Sequence, residues 1–291
     1  MLKALLKLIK PISLLLATLT YSLGTGIAHY LGQPIFPATF WLGLLTVLSL
    51  ESATPIFSEY FRLPLNPMSP GESPGQRQRF RVLLLQVGYA LLTLAAVAII
   101  TLLLTHSLNL SAAILFVLAL CLLIVYCIPP LRLSETGYGE LITAINLGTL
   151  LPAIGFLIQF GRFHRLLPFA SFPLTLLALA YLLIKNFPTY ATDQKLGRHS
   201  LLIRLTWQRA IPIHHFMVLA AFLMFSSATF LGYPWSLIWP VFLALPFAVI
   251  QIIWLQRIAN GGRTLWNFLT AVASATFGLT AYLLGMTFWL R

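Results

Sequence analysis

The chain has 291 residues, of which 59% are hydrophobic and 8% are charged. Soluble domains carry about 25% charged and about 45–50% apolar residues, so this composition excludes a water-soluble enzyme, a disordered chain and a disulfide scaffold. The net charge is +12, from 18 Lys and Arg against 6 Asp and Glu. In so apolar a chain, this excess is typical of the cytoplasmic loops of a membrane protein and does not indicate nucleic-acid binding.

Nine apolar segments follow one another along the chain, and each is long enough to cross a bilayer as a helix. Before them, residues 1–10 are amphipathic at helical period, with Lys3, Lys7 and Lys10 on one face. This start favours a helix in the membrane interface over a signal peptide. The pattern predicts an all-α membrane bundle, in a single domain over residues 1–291. The predicted spans are 11–31, 38–61, 82–105, 110–128, 139–160, 167–188, 211–231, 235–256 and 264–290.

The basic residues predict the orientation of the bundle in a cell inner membrane or its equivalent. With the N-terminus in the cytoplasm, fifteen Lys and Arg residues fall on the cytoplasmic side, and only Arg162, Arg165 and Arg291 fall on the other. An odd number of spans then places the C-terminus on the opposite side. The longest loops, at 62–81 and 189–210, are also cytoplasmic in this arrangement. Because proteins often place chemistry on loops, we expect any polar site to open at that face.

Two polar loops follow spans 2 and 6. The first runs Ser58-Glu59-Tyr60-Phe61-Arg62-Leu63-Pro64-Leu65-Asn66, and the second runs from Lys185 to Ser200. Each loop contributes one carboxylate, Glu59 or Asp193, together with Arg or Lys. Since even-numbered spans end on the same side of the membrane, the two loops can face each other across the bundle.

The second loop resembles the second aspartate motif of the UbiA-type intramembrane aromatic prenyltransferases, N-x-x-D-x-x-x-D-x-x-x-G-[KR]-x-[ST]-L. The first loop is similar to that family's N-D-x-x-D-x-x-x-D motif in its position and in its Tyr-Phe core. A third segment resembles the family's Y-x-x-P-P-x-R-L…G-x-G-E-L segment between spans 4 and 5. The matching residues are Asn186, Asp193, Gly197, Arg198, Ser200 and Leu201 in the second loop, and Tyr126, Pro129, Pro130, Arg132, Leu133, Gly137, Gly139, Glu140 and Leu141 in the third segment.

This resemblance implies a fold and a reaction. The fold is a nine-helix bundle around a central apolar cavity, and the reaction transfers a polyprenyl group from its diphosphate to an aromatic or tetrapyrrole acceptor. Glu59 and Asp193 would hold Mg²⁺, with Asn66 as a further weak ligand. The residues implied for substrate binding are Arg132, Lys195 and Arg198 at the diphosphate, and Tyr126, Tyr190 and Asn186 along the pocket.

Four of the five aspartates in the family's motifs are absent from this chain. Glu59 substitutes for one of them, and Arg62, Asn66 and Thr189 occupy the other three positions. Mg²⁺ commonly sits on one or two carboxylates plus substrate phosphates, so two carboxylates predict one ion rather than several. Arg62 opposes a metal as well, since like charges about 4 Å apart repel by roughly 4 kcal/mol per unit charge at an effective dielectric of about 20.

The basic residues of these loops have two interpretations. The guanidinium and ammonium groups of Arg62, Arg132, Lys195 and Arg198 could bind a diphosphate or an anionic lipid headgroup directly. They could equally be loop charges that only follow the positive-inside rule.

The lost aspartates also leave a second function open. In that alternative the chain is a catalytically silent homologue, which keeps the isoprenoid pocket and serves as a structural or assembly subunit of a larger membrane complex. A transporter is disfavoured, because no span carries paired charges. Inside span 2, Glu51 should either line the cavity or pair with a neighbouring helix. Glu140 should lie at the N-terminus of span 5, where a negative charge is favoured, and Gly148, Pro152 and Gly155 predict a close helix contact or a bend in that span.

Overall fold

The computed structural model describes Leu5 and residues 8–62, 74–195, 197 and 199–291. Within these ranges, nine helical segments are long and apolar enough to cross a membrane, which confirms the expected all-α bundle of nine spans. We number them α1 to α9 in chain order. They are α1 (Pro11–Tyr30), α2 (Pro37–Tyr60), α3 (Arg77–Leu104), α4 (Leu110–Cys127), α5 (Gly139–Phe160), α6 (Leu166–Lys195), α7 (Leu201–Leu231), α8 (Trp235–Ala259) and α9 (Trp266–Trp289).

Most predicted span boundaries lie within a few residues of the observed ones, and α5 begins and ends as predicted. The two long polar loops are shorter than predicted. The helix that contains α3 already begins at Pro74, a residue type favoured in the first turn of helices. The expected loop at 189–210 is wrong over most of its length. Tyr190–Lys195 is helical, and α7 begins at Leu201, where the Ser200 hydroxyl caps the helix by accepting a backbone N–H at 3.3 Å.

The start of the chain packs against two of the spans. Leu5 is buried in an apolar cluster with Ile56 of α2 and Phe80 of α3. This contact lies on the side of the bundle where α2 ends and α3 begins. Lys3 and Lys7, on the polar face of the predicted interfacial helix, lie outside the described residues.

Helices α1 and α5 are in close backbone contact. A Cβ atom on Gly24 would lie 1.9 Å from the Pro152 carbonyl oxygen, and one on Gly155 would lie 2.1 Å from the Tyr21 carbonyl oxygen. The Thr25 hydroxyl donates to the Gly155 carbonyl at 3.1 Å across the same contact. Small residues and interhelical hydrogen bonds are the usual means of helix packing in lipid, so the close contact predicted from span 5 is confirmed.

Helix α5 contains a π-helical turn at Asn146–Leu150. Within this turn Gly148 approaches α6 so closely that a Cβ atom would lie 2.4 Å from the Thr175 Cα. The side chain of Asn146, the first residue of the turn, donates a hydrogen bond to Glu51 of α2. π turns occur frequently at functional sites, and this one carries the amide that joins α5 to α2.

Helices α3 and α4 are the least buried of the spans. They expose large apolar side chains such as Ile100, Leu103, Ile114 and Val117. An extended exposed apolar surface of this kind marks a contact with another molecule or with a membrane. Together with the nine spans, it describes a bundle whose outer surface faces lipid.

Candidate functional site

A cavity of about 450 Å³ lies between the start of the chain, α1, α2, α4, α5 and α6. Both carboxylates from the two polar loops, Glu59 and Asp193, line it. Glu59 and Asp193 are both buried, each with 8% relative exposure. The loops after spans 2 and 6 therefore contribute to one cavity.

The cavity has an apolar part and a polar end. Glu51 and Glu59 both line it from α2, and their spacing corresponds to about 12 Å along a helix that rises 1.5 Å per residue. The apolar part is lined by Val47, Leu50, Leu122, Leu123, Leu147, Leu151, Ile154 and Leu182. The polar end includes Lys10, Ser58, Glu59, Arg62, Glu140, Lys185, Asn186, Thr189 and Asp193.

On the α2 side of the polar end, Glu59 forms an ion pair with Arg62. The Oε2 and Nη2 atoms are 3.2 Å apart, three residues along the end of the helix. The guanidinium stands at a position where the resemblance predicts an aspartate. In this chain a basic partner of Glu59 therefore replaces a second carboxylate.

Lys10 precedes α1 and lines the same end of the cavity. Lys10 is exposed by surface area, but partial dehydration of its ammonium group lowers its pKa below the ordinary value of 10.5, and the Arg62 charge lowers it further. The Glu59 carboxylate has the opposite effect and raises this pKa in part. The ammonium group therefore lies within electrostatic range of both members of the ion pair.

On the α6 side, the chain is held by hydrogen bonds to Glu140. The Asn186 side-chain amide donates to Glu140 Oε1 at 2.5 Å, and the Leu201 backbone N–H donates to the same oxygen at 3.2 Å. Glu140 lies in the first turn of α5, as predicted. Because its partners belong to α6 and α7, the carboxylate joins three spans next to Asp193.

Glu51 fulfils both of its alternative expectations. It lines the cavity, and its Oε1 atom accepts the hydrogen bond from Asn146 of α5. The pair spans the bundle between α2 and α5. Asn146 was not predicted as a site residue, although an isolated amide in an otherwise apolar span was a signal for it.

The other predicted site residues occupy different places. Tyr126, Asn186 and Arg62 line the cavity with the two carboxylates, whereas Arg132, Lys195 and Tyr190 do not. Arg132 Nη2 is 2.8 Å from Glu135 Oε1, Lys195 is exposed, and the Tyr190 ring packs against Trp207. Asn66 and Arg198 lie outside the described residues. The roles of all these residues stay predictions.

Two lysines in the cavity lining were not predicted as site residues. Lys185, near the end of α6, has its Nζ 5.6 Å from the centre of the Tyr181 ring, and Lys10 lies across the polar end. From the sequence, Lys10 is a charge on the polar face of the predicted interfacial helix, and Lys185 is a charge of the second polar loop. Lys185 directly precedes the motif residue Asn186, which was an available signal, whereas Lys10 could be placed only once the start of the chain was seen to pack on α2 and α3.

A sequence model of the UbiA prenyltransferase family matches residues 74–270. The chain belongs to this family. Its fold is similar to that of a UbiA homolog from Archaeoglobus fulgidus bound to GPP and Mg²⁺, with 15% identity, 96% of this chain and 99% of that chain covered, and a TM-score of 0.66. No curated protein matches the chain in sequence.

Two further structures have the same fold. The apo UbiA homolog from Aeropyrum pernix K1 gives a TM-score of 0.65 at 15% identity, with 92% of this chain and 94% of that chain covered. A structure concerned with digeranylgeranylglyceryl phosphate synthase in membranes gives 0.59 at 15% identity, with 99% and 97% covered. At such identities the similarity establishes the fold alone. With the family and the nine spans, it identifies an integral, multi-pass membrane protein.

The donor set of the cavity does not fit a multi-ion magnesium cluster. In the part of the chain that the structure describes, no group of three or more His, Cys, Asp and Glu residues could hold a metal ion. Glu59 is already paired with Arg62, and a divalent cation at Glu59 would meet the positive charges of Arg62 and Lys10. Mg²⁺ requires several hard oxygen ligands, and the two predicted carboxylates could supply only part of one coordination shell.

Proposed function

We propose that the protein is an intramembrane prenyltransferase, which moves a polyprenyl group from its diphosphate to an aromatic or tetrapyrrole acceptor. The observation that carries this proposal is that Glu59 and Asp193, from the two motif loops, line one cavity with a largely apolar wall. The apolar part buries an isoprenoid tail, and the polar end receives the diphosphate. Membership of the family supports the reaction class.

The proposed reaction breaks the bond between the allylic carbon and the diphosphate oxygen. The electron pair leaves with the diphosphate, the acceptor carbon attacks the allylic cation, and the acceptor releases a proton. Side chains such as Val47, Leu147 and Ile154 exclude water, which would otherwise trap the cation. Of the basic residues predicted to contact the leaving diphosphate, Arg62 lines the polar end and is kept as a proposed contact. Arg132 and Lys195 do not line the cavity, and Arg198 lies outside the described residues.

Magnesium, when bound in this family, neutralises the charge of the leaving diphosphate. Glu59 and Asp193 are the proposed ligands of a single ion, with Asn66 as a weak third. The A. fulgidus homolog is bound to Mg²⁺ and GPP. Because the donor set does not fit the family's cluster, we assign no step of the reaction to a metal.

The proposal also concerns the placement of the chain. The positive-inside distribution favours an N-terminus and a polar end in the cytoplasm, with the C-terminus on the opposite side. We further propose that residues 1–291 form one domain, in which residues 1–10 lie along the membrane interface. Reaction with a membrane-impermeant cysteine reagent, applied to intact cells that carry single added cysteines at each terminus, tests the orientation.

Turnover by purified protein in detergent tests the reaction. Geranylgeranyl or farnesyl diphosphate is supplied with a panel of phenolic, quinol-precursor and tetrapyrrole acceptors in the presence of Mg²⁺. We expect a prenylated product, and we expect Asp193→Asn to abolish it. Arg209→Gln, which removes an exposed charge from α7, is the matched control and should retain turnover. Equal product from wild type and Asp193→Asn would show that the site is assigned wrongly.

The ion pair between Glu59 and Arg62 favours a second candidate function. A carboxylate held by a guanidinium is poorly placed to hold a metal, so the cavity could bind an isoprenoid, a quinone or a pigment without turning it over. In that case the chain is a structural or assembly subunit of a larger membrane complex. Absence of turnover with every acceptor, together with stable co-purification in a larger assembly, is the result that this candidate requires.

A further inference from the structure

The polar end of the cavity brings together positive charges from separate parts of the chain. Lys10 comes from the segment before α1, Arg62 from the end of α2, and Lys185 from the end of α6. Lys10 is repelled by Arg62, and Lys185 is repelled by Lys10. Because Arg62 is paired with Glu59, the mutual repulsion of Lys10 and Lys185 is the part that a bound anion would relieve.

Within the described part of the chain, the neighbouring carboxylates form no ion pair with either lysine, although Glu59 attracts Lys10 at longer range and Asp193 lines the same end. Glu59 pairs with Arg62, and Glu135 pairs with Arg132. Glu51 accepts a hydrogen bond from Asn146, and Glu140 accepts from Asn186 and Leu201. Among the described residues, neither Lys10 nor Lys185 has a carboxylate oxygen within the 4.0 Å of an ion pair. The two ammonium groups are therefore the positive charges of this end that have no ion-pair partner among the described residues.

The chemistry of this arrangement favours a phosphate-type anion attached to an apolar chain. An ammonium group offers three N–H donors in no fixed plane, and it binds phosphate as a point charge. The apolar part of the cavity begins close to Lys185, because Leu182, three residues earlier in α6, also lines it. A ligand that fills both parts has a multiply charged headgroup and a hydrocarbon tail.

We propose that the ammonium groups of Lys10 and Lys185, instead of a metal cluster, hold the diphosphate of an isoprenoid diphosphate in this protein. This inference rests on the proposed function for the identity of the ligand. It explains why two lysines line this cavity in a chain that lacks four of the motif aspartates. It also makes binding of the diphosphate independent of a metal ion, because the two lysines can hold the anion when no divalent cation is present.

Binding of geranyl S-thiolodiphosphate, which resists ionisation, tests the inference. Affinity is measured by isothermal titration of the full-length protein in detergent, once with EDTA and once with Mg²⁺. We expect the two affinities to agree within about threefold. Lys10→Gln and Lys185→Gln should each weaken binding in EDTA by about tenfold or more, because each removes a charged hydrogen-bond donor. Lys185→Arg should keep most of the affinity, which controls for the folding of the Lys185 variants.

Arg209→Gln is the matched control, since it removes one exposed positive charge outside the cavity and should leave the affinity unchanged. Loss of binding in EDTA, or unchanged affinity in both lysine variants, would overturn the inference. Dioleoyl phosphatidylglycerol distinguishes the other source of the same chemistry. If it displaces the thiolodiphosphate at an equal concentration, the lysines hold a lipid headgroup, and the assignment to an isoprenoid diphosphate is wrong.

The binding and turnover measurements can contradict the inference and the proposed function separately. Lysine-dependent binding in EDTA without turnover for any acceptor supports the inference and contradicts the proposed prenyl transfer. Turnover that requires Mg²⁺ and is insensitive to Lys10→Gln and Lys185→Gln supports prenyl transfer and contradicts the inference.

Discussion

The two sides of the polar end use their carboxylates differently. On the α2 side, Glu59 is surrounded by charge, with Arg62 paired to it and Lys10 within electrostatic range. On the opposite side, Glu140 accepts hydrogen bonds from an amide and a backbone N–H, and these bonds join α5 to α6 and α7. A carboxylate near the site is therefore not by itself a ligand for metal or substrate. The partner decides whether it acts through its charge or through the helices that it joins.

Removal of Glu140 should have the largest effect on stability. Glu140→Leu leaves the Asn186 amide and the Leu201 N–H without their acceptor, which costs about 2–4 kcal/mol. Glu140→Gln keeps an acceptor oxygen and should cost much less. Thermal unfolding of the purified variants in detergent measures the difference. Glu135→Gln, which breaks the more exposed pair with Arg132, is the control and should cost at most about 1 kcal/mol.

If Glu140→Leu unfolds at the temperature of Glu135→Gln, then Glu140 does not join the three spans. The two sides of the polar end would then not differ in the way they use their carboxylates. Glu140 would instead be expected to contact the ligand.

The sequence predicts the parts of the molecule that depend on local pattern. The nine spans follow from apolar length, the position of Glu140 in the first turn of α5 follows from the start of span 5, and the meeting of the two loops follows from the parity of the spans. The partners of Glu140 could not be predicted in the same way. Asn186 and Leu201 are 46 and 61 residues away along the chain, and only the packing of α5, α6 and α7 brings them to one oxygen.

The two lysines show a related limit of sequence reasoning. Lys10 and Lys185 obey the positive-inside rule, as does Lys195, which does not line the cavity, so charge and position along the chain do not distinguish the three lysines. What separates them is the direction in which each helix end faces, which depends on tertiary packing. The prediction of a loop at 189–210 was wrong for a different reason. Tyr190–Lys195 is a helical turn of mainly polar residues, and its sequence has no apolar period that would indicate a helix.

Restoration of the lost acidic residues should convert the polar end of the cavity from an anion site into a metal site. In Arg62→Asp with Thr189→Asp, the repulsion from Arg62 disappears and two hard oxygen ligands are added. We expect Mg²⁺-dependent turnover of farnesyl diphosphate to rise roughly tenfold or more, and binding of geranyl S-thiolodiphosphate in EDTA to fall. Product formation across a Mg²⁺ titration measures the change.

Arg62→Asn is the control for this double variant, because it removes the positive charge without adding a carboxylate. An equal response of turnover to Mg²⁺ in the double variant and in Arg62→Asn would contradict the conversion, since the gain would then come from lost repulsion alone.

Glu59→Gln should have a smaller effect, and it should strengthen the binding of the diphosphate, whereas loss of a binding residue would weaken it. It removes a negative charge beside the proposed diphosphate and releases Arg62 from its ion pair. Affinity for geranyl S-thiolodiphosphate in EDTA should therefore rise by about threefold to tenfold. Isothermal titration detects such a change. A weaker affinity would mean that Glu59 itself helps to organise the bound anion, and the α2 side would then resemble the α6 side.

The smallest expected effect is a shift in the reactivity of Lys10. Partial dehydration and the Arg62 charge lower its pKa from 10.5, so the uncharged, acylable amine is present at a lower pH than for an ordinary lysine. The folded chain binds this proton more weakly than the unfolded chain does. The free energy of unfolding should therefore increase as the pH rises from the lowered pKa towards 10.5. Acetylation of Lys10, followed by mass spectrometry across pH, should have its midpoint below 10.5. A bound diphosphate favours the ammonium form, so geranyl S-thiolodiphosphate should move the midpoint upwards, whereas an unmoved midpoint would place the anion away from Lys10.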